Sequence, residues 1–396
     1  MKVVQINSTC GAGSTGKICV AVSKLLTERG VENYILYTHG QSDYPLGIKY
    51  AKSKYLKLQA FKSRLFGNYG FNSARATERL ISHLEKISPD VVQLHNIHGH
   101  DCNLKMLFDY FKRSGVKVYW TLHDCWAFTG YCPYFDMAKC DKWKNECYKC
   151  VQRPTFSWIF DKSKKLFNIK KQAYQNVDLT IIGPSEWIKT LASESVILGS
   201  YPSLLINNGI DLDVFKPTES DLKEKYGLQN KHIILGVAFD WSRRKGLSVF
   251  TRLAEQLSDE YQIIMVGTND AVDKKLPKNV IKIHKTHNQE ELAQLYTIAD
   301  VLVNPTLEEN YPSVNMESIA CGTPVVTYNT GGSPESLDET CGSVIEKNDF
   351  EALKKEVIRI CEEKPYSVES CLKKAQSFAW EDKFTAYCEL YLEDIK

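Results

Sequence analysis

Residues 300–328 read DVLVNPTLEENYPSVNMESIACGTPVVTY, and the order of apolar, capping and breaking residues in this stretch decides the fold class. Val301-Leu302-Val303 has no polar interruption and reads as a strand buried on both faces. A loop with two acids follows. Ser313 is expected to cap a helix that Gly322 and Pro324 close, with Glu317 in its first turns. Val325-Val326 then opens a second buried run. Strand, helix and strand in about thirty residues read as βα alternation with buried parallel strands.

The same alternation extends in both directions. Strands are expected at 2–6, 33–37, 91–95, 117–122 and 179–183, with a helix at 16–29. It restarts after Asn207-Asn208-Gly209-Ile210-Asp211, with strands at 232–237, 262–266, 280–283, 300–304 and 324–328. The fold class is therefore α/β, with two Rossmann-like doubly wound domains in series. A turn signal and Pro217 place the joint near 207–217. The expected division is 1–208, with a cysteine-rich insertion near 125–155, then 209–375, then a terminal helix over 376–396 returning to the first domain. A chain of 396 residues suits two domains. Ligands bind beyond the carboxyl ends of such strands, so a cleft between the domains is the expected site.

Composition removes several classes. With 43% hydrophobic and 25% charged residues the chain is neither disordered nor fibrous. Fifty basic against 48 acidic residues leave +2, too small an excess for a general nucleic-acid binder. No apolar stretch suits a signal peptide or a membrane span, so a cytoplasmic protein is expected.

Three constellations follow strands. Gly11-Ala12-Gly13-Ser14-Thr15-Gly16-Lys17 matches the glycine and lysine positions of a phosphate-cradling loop, but Ile18 stands where a magnesium-binding hydroxyl is needed. That argues against an NTPase and leaves either an anion-binding helix start or a tight turn. Arg243, Arg244 and Lys245 precede a helix whose dipole disfavours them, a conflict that an anionic ligand resolves; a solvated basic turn is the alternative. Glu309 and Glu317 straddle a helix start, where carboxylates suit vicinal sugar hydroxyls and backbone amides suit phosphate oxygens. Solvated acids are the alternative.

These residues carry a resemblance. Glu309 and Glu317 with 318–326 (SIACGTPVV), Arg244-Lys245-Gly246 and 208–211 (NGID) resemble the retaining GT-B glycosyltransferases of family 4. Residues 14–18 (STGKI), 94–98 (LHNIH) and 122–130 (LHDCWAFTG) are similar to its colanic-acid and capsule-polysaccharide branch. The resemblance implies that Glu317 binds the ribose of a nucleotide-sugar, Glu309 the donor sugar and Lys245 the diphosphate, with His123 near the reacting sugar. The family usually carries an arginine five residues before that lysine. Asp240 stands there, so Arg243 or Arg244 must supply the second cation. The implied donor set is Gly13, Ser14, Thr15, Gly16, Arg243, Arg244, Lys245, Glu309, Asn310, Tyr311, Ser313, Val314 and Glu317, with His123, Glu309 and Lys245 catalytic; Glu335 is structural or near the nucleotide. A UDP-sugar donor, a polyprenyl-diphosphate-linked glycan acceptor and no catalytic metal follow from the same resemblance. A glycan phosphorylase on this fold is the nearest alternative, ahead of an NTPase or a zinc-containing nucleic-acid module.

Two further features need an account. Cys132, Cys140, Cys147 and Cys150 cluster among 13 cysteines, and in a reducing compartment such thiols hold a structural zinc more often than they form disulfides. Free thiols and redox pairing are the alternatives. From Tyr44 to Thr77 there is no acid, while Lys49, Lys52, Lys54, Lys57, Lys62, Arg64 and Arg75 interleave with Tyr55, Leu56, Leu58, Phe61, Leu65 and Phe66. This basic amphipathic stretch suits an anionic membrane, the inner face of the cell membrane for a cytoplasmic enzyme; a solvated helix face is the alternative.

Overall fold

A computed structural model describes residues 1–98 and 100–393. The chain folds as two units, 1–207 with 383 onward, and 208–382. The first contains β1 (Lys2–Ile6), β2 (Glu32–Tyr37), β3 (Gly47–Lys49), β4 (Val91–Leu94), β5 (Lys117–Thr121), β6 (Leu179–Gly183) and β7 (Ser203–Leu205). They form one parallel sheet in the order β3-β2-β1-β4-β5-β6-β7. The second contains β8 (His232–Val237), β9 (Tyr261–Val266), β10 (Val280–Ile283), β11 (Val301–Asn304), β12 (Val325–Tyr328) and β13 (Gly342–Ile345), parallel in the order β10-β9-β8-β11-β12-β13.

The apolar runs became strands because helices cover both faces of each sheet. Val3, Val4 and Ile6 of β1, and Val301 and Leu302 of β11, have no exposed surface. Each such side chain contributes about 1.5–3 kcal/mol on burial. The strand order reverses between β1 and β4 in one sheet and between β8 and β11 in the other. Chains leaving adjacent strands there diverge to opposite faces and open a crevice.

The edge strands β3, β7 and β13 lie outside the sequence expectations. Two of them have only three residues, too few to display a period. The units divide at 207/208, where the expected joint begins. Residues from Asn208 already belong to the second unit: Ile210 and Phe215 are buried and Ile210 bridges Ala379, while Asp211 Oδ1 accepts the amides of Asp213 and Val214. The Trp380–Glu393 helix begins in the second unit and counts with the first from Lys383. There the Tyr387 and Thr121 hydroxyls share a hydrogen bond of 3.0 Å and the Tyr391 hydroxyl donates to Gln93 Oε1 at 2.9 Å. Residues 394–396 of the expected terminal helix lie outside the described residues.

Candidate functional site

In the second unit the loops leaving β8 and β11 flank the reversal of strand order. After β8, Trp241 is buried and its indole donates to the Val266 carbonyl, tying the loop to β9. A single turn, Arg243–Lys245, ends at Gly246 with φ +75°. A Cβ there would stand 2.4 Å from the Pro305 carbonyl oxygen, so glycine permits both the backbone angle and the approach of the two loops. Leu307 donates its amide to the Arg244 carbonyl at 2.7 Å, and the Arg244 guanidinium donates to the Glu308 carbonyl at 3.0 Å.

This joint brings Lys245 onto Glu309. The ammonium donates to Glu309 Oε2, while Oε1 accepts the Asn310 amide at 3.0 Å; the side chains are 20% and 12% exposed. Burial raises the Glu309 pKa, but Lys245, Arg244 and the Asn310 amide outweigh it and hold the carboxyl below its ordinary value. Arg243 is exposed, and Asn310 and Tyr311 are buried in the same loop.

The helix after this loop spans Ser313–Ala320, and Ser313 is its first residue rather than its cap. Pro312 takes the cap position and no side chain caps the helix. Proline fixes the chain's entry to the helix, and the displaced hydroxyl leaves the first turn free of side-chain competition for an anion. Ser313 and Val314 are half-buried at this end. Glu317 is held separately by the Tyr296 hydroxyl, which donates to Oε2 at 2.8 Å.

A buried polar network absent from the sequence reading positions the helix. Asn315 accepts from Asn304 Nδ2 at 2.8 Å and donates to Ser333 and Ser336 at 3.2 and 3.0 Å; Thr327 donates to the Asn304 carbonyl at 2.9 Å. Gly331, at φ +57°, lies so close to the Glu309 carbonyl that a Cβ would stand 1.8 Å from its oxygen. The Gly331-Gly332-Ser333 segment thus backs the Glu309 loop, while Glu335 is exposed. Single asparagines and serines carry no periodic signal, which is why this support was not legible.

In the first unit the glycine loop leaves β1. Gly11 and Gly13 have φ of +74° and +67°, Ala12 occupies the helix cap, and Gly13, Ser14 and Thr15 begin the Gly13–Glu28 helix without a side-chain cap. Gly13 and Ser14 are exposed and Gly16 is buried; a Cβ on Gly16 would stand 2.7 Å from Thr9 Oγ1. Asn7 Nδ2 braces the loop through the Thr9 carbonyl and Thr15 Oγ1, while Asn7 Oδ1 accepts the Asn96 amide beyond β4.

His95 and His123 follow β4 and β5 and stack with centroids 5.4 Å apart. Gln5 donates its amide nitrogen to the Cys19 carbonyl, so its oxygen must accept from His95 Nε2 at 3.3 Å. His95 Nδ1 is then an acceptor, and His123 Nε2 donates to it at 3.1 Å. Neutral His123 therefore presents Nδ1 as an acceptor. Burial holds the His123 pKa down at about 4 and His95 well below its ordinary value. Beside them His98 Nε2 meets Asp124 Oδ2 at 2.7 Å. Burial opposes the charge on both, but their attraction prevails, raising the His98 pKa and lowering that of Asp124. The sequence reading found His123 and missed its dependence on His95.

Residues 218–378 match the family described as Glycosyl transferases group 1. The chain is 23% identical over 88% of its length, and 88% of the other, to a putative colanic acid biosynthesis glycosyl transferase, WcaC, of Escherichia coli K12. It is 26% identical over 43% of its length, and 45% of the other, to a D-inositol 3-phosphate glycosyltransferase of Corynebacterium jeikeium. Among solved structures, sucrose-phosphate synthase of Thermosynechococcus elongatus superposes with a TM-score of 0.72 at 17% identity, covering 100% of this chain and 99% of that one. Alr3699/HepE of Anabaena, solved with UDP-glucose, gives 0.69 at 13% identity, covering 99% and 100%. These likenesses establish the GT-B fold class.

Proposed function

With residues 218–378 a group 1 glycosyltransferase domain on a GT-B chain, we propose that the protein is a retaining glycosyltransferase of polysaccharide biosynthesis, moving a sugar from a UDP-sugar to a lipid-linked glycan. The observation that carries this reading is the half-buried Lys245–Glu309 pair on the two loops at the reversal of strand order. Without substrate the two charges satisfy each other. An incoming diphosphate draws Lys245 and an arginine of the same turn to itself and releases Glu309 to accept hydrogen bonds from sugar hydroxyls. The uncapped Ser313–Ala320 helix offers amides and its dipole to phosphate oxygens, and Glu317, oriented by Tyr296, accepts ribose hydroxyls. The uncapped start of the Gly13–Glu28 helix offers its own amides to an anion within the first unit.

The chemistry follows from charge. As the anomeric bond to the diphosphate breaks, negative charge grows on the leaving oxygen, where preorganised cations and amides stabilise it without solvent reorganisation. His123 Nδ1 accepts a substrate hydroxyl. In front-face transfer the departing phosphate takes the acceptor proton, and no metal is required.

Recruitment to an anionic membrane belongs to this reading, and the structure adds a second element to the basic stretch. The Ser53–Phe66 helix exposes Leu58, Phe61 and Phe66 among its cations. A loop exposing Trp158, Ile159 and Phe160 joins that face: Trp158 packs edge-on against Phe61 at 5.9 Å and donates its amide to the Arg64 carbonyl. Aromatic residues beside lysines suit a bilayer interface. Among the described residues no helix is long and apolar enough to cross a membrane.

Thermal melting with a panel of nucleotide-sugars tests the donor assignment. A donor at 100 times its dissociation constant should add about 2.7 kcal/mol. A chain indifferent to every nucleotide-sugar, or one releasing sugar phosphate from a glycan given inorganic phosphate, defeats it. Flotation with phosphatidylglycerol vesicles tests recruitment; binding that ignores lipid charge and survives Trp158→Ser with Phe61→Ser removes that part alone.

A further inference from the structure

Cys132, Cys140, Cys147 and Cys150 come from separate turns of the insertion after β5, yet all four line one cavity of about 220 Å³. Trp143 and Phe135, stacked at 4.8 Å, form its apolar wall. All four cysteines are free thiols. A backbone donor already points at one sulfur: the Gly130 amide donates to Cys147 Sγ at 3.3 Å. Such an N–H···S bond favours a thiolate. Gly130 is needed for this approach, because a Cβ there would stand 3.1 Å from Cys147 Cβ and 2.7 Å from the Ser163 carbonyl oxygen.

A second observation is independent of the thiols. Lys170 has no exposed surface, donates to the Trp126 and Thr129 carbonyls and lies 3.6 Å from the centroid of the Trp126 ring. Among the described residues no carboxylate lies within salt-bridge distance of it, and Asp124, which attracts it from farther away, is already paired with His98. A buried cation with so little opposite charge beside it is costly. The Thr129 carbonyl that it holds is the neighbour of the Gly130 amide on Cys147. Four thiolates around a divalent ion carry a net charge of −2 and add negative charge beside it.

We propose that Cys132, Cys140, Cys147 and Cys150 are the ligands of one structural zinc ion, which ties the insertion to the loop carrying His123 and Asp124. An all-thiolate, four-ligand set selects zinc over magnesium or calcium, and with no ligand position left open the ion is structural. Binding draws the sulfurs inward. Among the described residues only Asp270, Asp273 and His284 bring three potential ligand atoms within 4.8 Å of one another, whereas the edges of a tetrahedral thiolate shell measure about 3.8 Å. The cavity supplies the space for that contraction. The ordering reaches the histidines through chain continuity: Asp124 accepts the Trp126 amide, and Lys170 holds Trp126 and Thr129.

The inference does not rest on the glycosyltransferase reading. Elemental analysis of the purified full-length chain should find about one zinc per chain, released when a mercurial titrates the thiols. Cobalt exchanged into the site should give a sulfur-to-cobalt charge-transfer band. Cys147→Ser with Cys150→Ser should abolish both signals, while Cys341→Ser, a buried thiol of the other unit, should keep them. A folded wild-type chain without zinc, a stoichiometric content of iron, or disulfides among these four residues overturns the proposal. Metal content of the wild type decides the matter even where the serine variants do not fold.

Discussion

The loops that leave the strand ends of the two sheets solve the same problem in opposite ways. Beyond β8 and β11 a half-buried site is made from fixed opposite charges, Lys245 and Glu309, locked by Gly246, Arg244 and Gly331. Beyond β4 and β5 it is made from neutral imidazoles, His95 and His123, whose protons are set by Gln5. The charged pair suits a ligand with large fixed charge. The neutral pair suits hydroxyls, and it costs little to bury because neither ring is ionised. The contrast shows how one sheet architecture separates electrostatic binding from hydrogen-bond acceptance by the side chains it aims from its strand ends.

The sharpest way to break this contrast is to remove one charge. Lys245→Ala and Glu309→Ala should each lower sugar transfer by about 10²–10³, some 3–4 kcal/mol in the barrier, with the chain still folded. Each single variant also leaves its partner buried and unpaired, so the double variant should unfold at higher urea than either single one. Additive losses would mean that the two groups act independently, and near-normal turnover in either would falsify the donor assignment.

Acid comes next. His123 has a folded pKa of about 4 against an ordinary 6.5, so the unfolded chain binds its proton first. The stability of the first unit should therefore fall as pH drops from about 6.5 toward 4, by at most about 3 kcal/mol from this residue. Glu309 behaves differently: its folded pKa lies below the ordinary 4.5, so its contribution is present above that value and is lost only as pH falls through the lower one. Hydrogen exchange followed across the pH range should show the first unit losing protection before the Glu309 loop does. His123→Asn should flatten the early loss, and simultaneous loss in both units would erase the distinction.

Two smaller effects sharpen the comparison within the second unit. Asn315→Ala removes the hub of the network between Asn304, Ser333 and Ser336 and should cost about 2 kcal/mol in chemical denaturation. An unchanged midpoint would show that the network is incidental. Tyr296→Phe removes one hydrogen bond to Glu317 and should cost about 1 kcal/mol of donor affinity, read by calorimetry, with transfer at saturating donor preserved. A fall in saturated rate alone would place Glu317 in the chemistry instead.

Much of this was legible in the chain. Val301-Leu302-Val303 and Val325-Val326 announced buried strands, and Arg243-Arg244-Lys245 and Glu309 announced charge beside helix starts. Ser313 misled because a serine before an apolar run is a good cap, yet Pro312 took that position and Ser313 became the first helical residue. The 158–160 loop drew no expectation from the sequence; Trp158, Ile159 and Phe160 are exposed there, and only the fold brings Trp158 against Phe61 of the Ser53–Phe66 helix.

Sequence alone determined the strands other than β3, β7 and β13, the two-unit organisation and the residue types offered after each strand, because periodicity and turn chemistry act over a few neighbouring residues. Tertiary structure decided which of those residues meet. Lys245 reaches Glu309 because β11 pairs with β8, across 64 positions of chain, and His95 orients His123 because β4 pairs with β5. Strand order is set by the burial of whole sheets, and no local pattern of residues encodes it.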